Sequence, residues 1–160
     1  MMIAEKIFMD WDSALKTVEL WKSDGQTLVF TNGCFDIVHV GHVLYLEEAA
    51  TLGSKLIVAL NTDRSVRNLK GSERPLNTLA DRMKVIAALT STDMVISFDQ
   101  ETPYDLIKAI IPDVLVKGGD WPIDKIVGND IVIQTGGKVV SLPFSEGFST
   151  TSLVEKIKSL

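Results

Sequence analysis

Five short apolar segments, separated by helical patterns, constrain the fold of this chain more than any other feature. They are "TLVFTN" (27–32), "KLIVALN" (55–61), "DMVISF" (93–98), "DVLVK" (113–117) and "KVVSL" (138–142). Their apolar character is continuous rather than alternating, which is typical of parallel strands that are covered on both faces. The sequence therefore predicts an α/β fold: a Rossmann-like, doubly wound parallel sheet of five strands with helices on both faces.

Helical patterns fill the gaps between these segments. The apolar spacing predicts helices over residues 10–24, 42–51, 79–89, 103–111 and 152–160, whereas residues 122–137 fit either a strand or a helix. A chain of 160 residues suits one domain. We expect a single domain over 1–160, with residues 1–25 as an N-terminal helical extension packed on it.

Composition narrows the possible partners and compartment. The net charge of −5 argues against nucleic-acid binding, and no apolar run approaches the roughly 20 residues that span a bilayer. The opening "MMIAEKIFMD" holds acids and no small-residue cleavage site, so a secretory signal is not expected. A single cysteine, Cys34, excludes an internal disulfide. We therefore expect a cytoplasmic protein with no nucleic-acid or membrane partner.

Both histidines of the chain follow the first predicted strand, in "TNGCFDIVHVGH" (31–42). Sheets of this class bind ligands at the carboxyl ends of their strands. Gly33 permits a sharp turn there, and Gly41 permits a close approach at the start of the next helix, whose N-terminus favours phosphate. His39 and His42 can then donate hydrogen bonds to one phosphate chain. A zinc site is an alternative, but it has no obvious third ligand apart from Asp36.

Three further segments follow predicted strands and have the composition of ligand-binding loops. The first, residues 64–74, contains the four cations Arg64, Arg67, Lys70 and Arg74. An anionic partner would reduce the repulsion between them, although a solvated basic loop is the alternative for Arg64 and Arg67. In "VKGGDW" (116–121) the glycines allow backbone contact with a flat ligand, and Trp121 can pack against a base or sugar. The alternative is a plain turn with a packed tryptophan. The run Ser149, Thr150 and Thr151 suits both a helix cap and a phosphate cradle.

The pattern Gly33-x-Phe35-Asp36-x-x-His39-x-Gly41-His42 resembles the signature of the nucleotidyltransferase superfamily, which includes the cytidylyltransferases. In that family the two histidines stabilise the triphosphate and the transition state at the α-phosphorus. The resemblance implies catalytic roles for His39, His42 and Lys70, because "LKGSERP" resembles the family's Lys-Gly-x-x-x-Arg-Pro segment. The nucleotide contacts expected from the motifs are Thr31, Asn32, Gly33, Phe35, Asp36, Gly41, Arg74, Lys117, Gly118, Gly119, Asp120, Ser149, Thr150 and Thr151.

Residues 31–157 resemble in particular the bacterial D-glycero-β-D-manno-heptose 1-phosphate adenylyltransferases, through "TNGCFDIVHVGHVLYLEEA", "LKGSERPLN", "SFDQETPYDLI", "PDVLVKGGDW" and "EGFSTTSLVEKI". The resemblance implies that ATP and a sugar 1-phosphate give ADP-heptose and pyrophosphate for lipopolysaccharide or other surface glycans. Many relatives are fused to a sugar kinase, and we expect the stand-alone form here. A glycerol-3-phosphate cytidylyltransferase is the alternative, weakened because "PFSEG" replaces that group's Arg-Thr-Glu-Gly run. A nucleotide-binding sensor is the non-enzymatic alternative.

The chemistry expected from this resemblance needs little covalent help from the protein. A sugar 1-phosphate has a second pKa near ~6, so it is already a nucleophile at neutral pH. We expect Mg²⁺ as the cofactor, bound mainly by phosphate oxygens, and therefore no protein metal site. Asn61, Asp63 and Trp121 are weaker candidates for contact with the acceptor. Relatives are commonly dimers, so a homodimer is expected.

Overall fold

The computed structural model describes residues 2–143, 147 and 149–160. Its five strands form one parallel sheet in the order β3-β2-β1-β4-β5. The strands are β1 (Leu28–Gly33), β2 (Lys55–Asn61), β3 (Met94–Phe98), β4 (Val114–Gly118) and β5 (Lys138–Leu142). The chain adds β2 and β3 on one side of β1 and then crosses to add β4 and β5 on the other. The predicted doubly wound α/β class is confirmed, and the order reverses between β1 and β4.

Seven α-helices lie within the described residues, with short 3₁₀ helices at Ile3–Lys6 and Ile123–Lys125. The α-helices are α1 (Trp11–Ser23), α2 (Val40–Ala50), α3 (Asp63–Lys70), α4 (Leu79–Ala87), α5 (Tyr104–Ile110), α6 (Asn129–Gln134) and α7 (Thr150–Lys158). Side-chain caps fix several starts: Asp10, Thr62, Thr78 and Ser149 each accept a backbone N–H three residues on. Within the ambiguous segment 122–137 the structure has the 3₁₀ helix Ile123–Lys125 and α6, joined by turns, and no strand.

The core consists of two apolar layers, one on each face of the sheet. Phe30 and Ile57 point to one face, where Ala14 and Val18 of α1 and helices α5 and α6 cover them. Val29 and Val58 point to the other face, beneath Leu46 of α2 and Met83 and Ile86 of α4. All of these side chains are at most 2 % exposed. Alternate strand residues are therefore buried on opposite faces, as the continuous apolar segments indicate.

The N-terminal residues contribute to the sheet edge as well as to the core. Phe8 donates its N–H to the carbonyl of Val95 at 2.9 Å, and Ile7 forms a parallel bridge with the same residue. The indole Nε1 of Trp11 donates to the carbonyl of Ser97 at 2.9 Å. The segment before β1 is therefore fastened along β3 and across one face of the sheet. The division of the chain into one domain with an extension stays a prediction.

Candidate active site

Two cavities open at the carboxyl ends of the strands, beside the point where the strand order reverses. The first, here called the histidine cavity, has a volume of about 470 Å³ and is lined by His42, Lys70, Arg74 and Thr150 among others. The second, here called the side cavity, has a volume of about 400 Å³ and extends towards the ends of β2 and β3. Five described residues line both: Asn32, Gly33, Cys34, Lys117 and Trp121. The two cavities therefore meet between the ends of β1 and β4.

The two histidines stack on one another at the start of α2. Their ring centroids are 3.9 Å apart, at an interplanar angle of 30°. His39 is the N-cap residue, and its backbone N–H donates to Nδ1 of His42 at 3.3 Å. Because Nδ1 of His42 accepts this bond, the proton of its neutral ring lies on Nε2. Nδ1 of His39 is buried and has no hydrogen-bond partner among the described residues.

Burial disfavours the charged form of both rings, and neighbouring basic groups add to this effect at His42. Burial lowers the pKa of His39 below its ordinary value. Burial, with the nearby His39 and Lys70, lowers the pKa of His42 to about 4. In the unliganded protein both imidazoles are consequently neutral near pH 7. A bound polyanion would act in the opposite direction and raise both pKa values.

The backbone around the histidines is shaped by Gly33 and Phe35. Phe35 has a positive φ of 48°, a conformation that is uncommon outside glycine, and its ring meets His42 edge-on at 5.3 Å between centroids. A Cβ on Gly33 would lie 2.9 Å from the Phe35 ring. Gly33 therefore leaves space for the aromatic ring that supports His42. Gly41 is buried in the first turn of α2.

Asp36 fastens the basic segment to the loop after β1. Its carboxylate is 5 % exposed and accepts the Nε–H of Arg74 at 2.6 Å and the N–H groups of Leu76 and Asn77 at 2.9 Å. Burial alone would raise the pKa of Asp36, but these hydrogen bonds and the Arg74 charge outweigh it and lower the pKa. The structure thus places Asp36 in the cavity wall with its oxygens engaged by protein donors. Its Arg74 partner, like Lys70 at the end of α3, lines the histidine cavity.

Thr31 and Asp63, both predicted to contact substrates, are engaged elsewhere. Thr31 is fully buried, and its hydroxyl lies 2.5 Å from the hydroxyl of Tyr45, which lines the histidine cavity. Burial raises the pKa of Tyr45 to about 12, so this phenol is neutral. The Asp63 carboxylate accepts the guanidinium of Arg82 at 2.8 Å and is not among the residues that line either cavity. Protein partners thus satisfy both side chains in the unliganded structure, and their contact with substrates stays a prediction.

The end of β4 and the segment after it supply part of the wall that the two cavities share. The Nζ of Lys117 lies 5.8 Å from the centroid of the half-exposed Trp121 ring. Gly119 donates its N–H to the carbonyl of Leu142 at 2.7 Å, and Trp121 donates its N–H to the hydroxyl of Ser141 at 3.1 Å. Gly118 lines the histidine cavity, whereas Asp120 is exposed and is not part of either lining.

The hydroxyl run at the start of α7 serves partly as a helix cap. Ser149 accepts the N–H of Ser152 at 3.0 Å, and Thr151 is exposed. Thr150 lines the histidine cavity and donates to the carbonyl of Ile37 at 3.5 Å. Phe144 and Ser145, where the cytidylyltransferase alternative has arginine and threonine, lie outside the described residues.

Sequence similarity agrees with this geometry. The model of the family described as "Cytidylyltransferase-like" matches residues 30–156. The chain belongs to the cytidylyltransferase-like family. The predicted membership of the nucleotidyltransferase superfamily is therefore confirmed, and the matched region contains most of β1, all of β2 to β5 and the residues that line both cavities.

Relatives within the cytidylyltransferase-like family include "Bifunctional protein HldE" of Histophilus somni, 54% identical over 150 residues, or 93% of this chain and 32% of that protein. HldE of Ectopseudomonas mendocina is 50% identical over 156 residues, or 98% of this chain and 33% of that protein. The chain thus spans about a third of these relatives. A crystal structure of the lipopolysaccharide core biosynthesis protein from Thermoplasma volcanium aligns with a TM-score of 0.60 and 26% identity, covering 76% of this chain and 98% of that one.

Arg82 supports the site of this cytidylyltransferase-like protein without lining either cavity, and the sequence did not assign it this role. Its side chain is fully buried and donates to the carbonyls of Cys34 at 2.6 Å and Asn77 at 3.1 Å, as well as to Asp63. It therefore joins the loop after β1, the start of α3 and the segment before α4. The sequence held one signal for its burial: Arg82 lies four residues before Ile86, which places it on the apolar face of α4.

No helix among the described residues is both long enough and apolar enough to cross a membrane. No group of three or more His, Cys, Asp or Glu side chains within 2–143, 147 and 149–160 is arranged to hold a metal ion.

Proposed function

We propose that the protein is an adenylyltransferase that converts ATP and D-glycero-β-D-manno-heptose 1-phosphate to ADP-heptose and pyrophosphate, for surface glycan precursors. The observation that carries the proposal is the stacked pair His39 and His42 at the start of α2, of which His42 lines a 470 Å³ cavity together with Lys70 and Arg74. Similarity to the HldE proteins and to a lipopolysaccharide core biosynthesis protein supports the choice of a sugar acceptor.

The mechanism assigns each group a place around the α-phosphorus. A phosphate oxygen of the acceptor forms a bond to the α-phosphorus, and the bond from that phosphorus to the bridging oxygen of the β-phosphate breaks. Pyrophosphate leaves with the electron pair, so no proton transfer is needed when the acceptor is a dianion. Nε2–H of His42 and the ring of His39 donate to the charge that develops there, while Lys70 and Arg74 bind the outgoing phosphates.

Mg²⁺ is part of the proposal as an ion that enters with ATP. The donor set fits this arrangement, because the Asp36 oxygens are engaged by Arg74, Leu76 and Asn77. The ion would be held by triphosphate oxygens and water, which Mg²⁺ accepts readily. When bound, it neutralises negative charge on the triphosphate.

The deciding experiment measures pyrophosphate release for ATP, CTP, GTP and UTP, each with heptose 1-phosphate, glycerol 3-phosphate and phosphopantetheine. We expect ATP with heptose 1-phosphate to give the highest kcat/KM. Turnover confined to CTP with glycerol 3-phosphate would establish the cytidylyltransferase alternative instead. Nucleotide binding without pyrophosphate release from any pair would establish a sensor.

The proposal includes a cytoplasmic homodimer. ATP and sugar phosphates are cytoplasmic metabolites, which supports the compartment. Light scattering after size-exclusion chromatography measures the assembly directly: we expect about twice the chain mass of 17.6 kDa. A mass equal to that of one chain would reject the dimer without affecting the proposed reaction.

A further inference from the structure

The side cavity has the composition of a site for a small polar ligand. Its walls are largely apolar, from Leu69, Phe98, Leu115 and Ile126. Polar groups reach it from the segment after β3, where Glu101 and Thr102 are exposed and make no side-chain hydrogen bond to another described residue. Lys125 also lines it, and its ammonium is paired with Asp124 at 3.7 Å. Pockets with apolar walls and a few free polar groups are typical of small-molecule sites.

Lys117 is the charged residue at the junction of the two cavities. Of the five described residues that line both, Asn32, Gly33, Cys34 and Trp121 carry no positive charge at neutral pH. No carboxylate of a described residue lies within 4.0 Å of the Lys117 ammonium, although several other cations of the chain are paired. Burial lowers the pKa of Lys117. A partly desolvated ammonium without a carboxylate partner favours the binding of an anion.

The reaction geometry identifies which anion this is. ATP placed with its phosphates against the histidine pair, Lys70 and Arg74 occupies the histidine cavity. The attacking phosphate must then approach the α-phosphorus to about 3–3.5 Å from the opposite side. The junction with the side cavity is where a second ligand can make that approach, and Lys117 is the cation located there.

We infer that the side cavity is the acceptor subsite and that Lys117 binds the phosphate of the acceptor sugar at its junction with the histidine cavity. This inference rests on the proposed function and deepens it, because the sequence assigned Lys117 to the nucleotide. The sugar body extends from the junction along Trp121, and its hydroxyls meet Glu101 and Thr102. The ligand class is a phosphorylated polyol: a phosphate at one end and neutral hydroxyls at the other.

Lys117 also takes part in the charge balance of the reaction. Its ammonium neutralises the acceptor dianion as that dianion approaches the α-phosphate, which is itself negative. The bond that forms joins the acceptor oxygen to the α-phosphorus, and the bond that breaks releases pyrophosphate. The ammonium keeps its proton throughout.

The test is Lys117→Met, which keeps most of the side-chain volume and removes the charge. We expect the KM of the acceptor sugar phosphate to rise roughly 10- to 100-fold, the range for one lost hydrogen bond to a charged group. Affinity for a non-hydrolysable ATP analogue, titrated directly, should change less than about threefold. Lys108→Met, on the exposed face of α5, is the matched control and should behave as wild type.

The outcomes separate this inference from the proposed function. A larger loss of ATP-analogue affinity than of acceptor affinity would return Lys117 to the nucleotide and overturn the inference, even with the reaction intact. Unchanged constants for both substrates would also overturn it. Failure of the proposed function appears earlier, as wild-type protein that releases no pyrophosphate with heptose 1-phosphate.

A measurement on wild-type protein guards against a variant that does not fold. Inorganic phosphate, as a probe of the Lys117 position, should inhibit competitively against the sugar phosphate and not against ATP. Competition against ATP alone would contradict the assignment.

Discussion

At the scale of single residues, the orientation of His42 is fixed before a ligand binds, whereas its protonation would change on binding. His42 is fixed by the His39 N–H on one side and by the edge of Phe35 on the other, so its orientation does not depend on a ligand. Because its pKa is low, the ring of the unliganded protein is a neutral hydrogen-bond donor near pH 7. Preorganised donors of this kind stabilise a transition state without first having to reorient.

We expect His39→Ala and His42→Ala each to lower kcat by about 10²-fold or more, because each removes a donor to the α-phosphate in the transition state. Pyrophosphate release at saturating substrates measures the effect. Val40→Ala, an exposed position between the two histidines, is the control and should retain activity. Wild-type rates from both histidine variants, with unchanged melting temperatures, would remove the pair from the mechanism.

The protonation of His42 gives a second prediction at this scale. The free protein should show a His42 pKa of about 4 by NMR titration of the ring protons, so the ring is neutral above that pH and charged below it. Binding of a non-hydrolysable ATP analogue should raise the pKa, because a nearby polyanion favours the imidazolium. The low pKa also makes the stability of the fold depend on pH. The unfolded histidine takes up a proton near pH 6.5, whereas the folded one does so only near pH 4. The free energy of unfolding therefore falls as the pH drops from 6.5 towards 4.

A contrary result is simple to recognise for this titration. A free-protein pKa at or above the ordinary histidine value would show that burial does not control the ring. A pKa that falls when the analogue binds would place the phosphates away from His42.

At the scale of elements, three segments around the site are fastened to one another by partly buried ion pairs. Arg82 on α4 joins the loop after β1 to Asp63 at the start of α3, and Asp36 in that loop holds Arg74. These pairs join residues 19 and 38 positions apart in sequence. The elements that carry Lys70, Arg74 and the histidines therefore keep a fixed relation to one another.

Arg82→Met should lower the free energy of unfolding by about 2–4 kcal/mol, since it leaves Asp63 and the carbonyl of Cys34 without their donor. Chemical denaturation measures the loss. Asp63→Asn combined with Arg82→Met should cost less than the sum of the two single changes, because both break the same pair. Lys84→Met, on the exposed face of the same helix, serves as the control. Full additivity in the double variant would show that the two side chains do not stabilise each other.

The elements also show what a sequence can and cannot reveal. Each of the five strands was predicted to within one or two residues, because continuous apolar runs such as residues 55–61 report burial directly. Helix α3 was not predicted, since Val66 is its one buried apolar residue and its face carries mostly charges. The motifs located His39, His42, Lys70 and Arg74, which the fold brings together. The side cavity and the partners of Arg82 depend on contacts between residues far apart in sequence, which the spacing of apolar residues along a strand or helix does not report.

At the scale of the whole molecule, the region that matches the family begins at residue 30, whereas the core begins earlier. Ala14 and Val18 of α1 are buried against Phe30, Ile57 and Ile96, and Trp11, Leu15 and Trp21 pack around them. Removing α1 would expose one face of the sheet on which the site is built. The segment before β1 is thus a structural requirement for the site, although none of its residues lines either cavity.

We expect a variant that lacks residues 2–25 to lose cooperative thermal unfolding, because burial of each large apolar side chain contributes about 1.5–3 kcal/mol and a domain has only about 5–15 kcal/mol in total. Differential scanning calorimetry and ATP-analogue binding measure the result. Leu20→Ala, at a position 64 % exposed on α1, is the control and should melt close to wild type. A truncated protein that melts cooperatively and binds the analogue with wild-type affinity would show that the rest of the chain folds without the extension that packs on it.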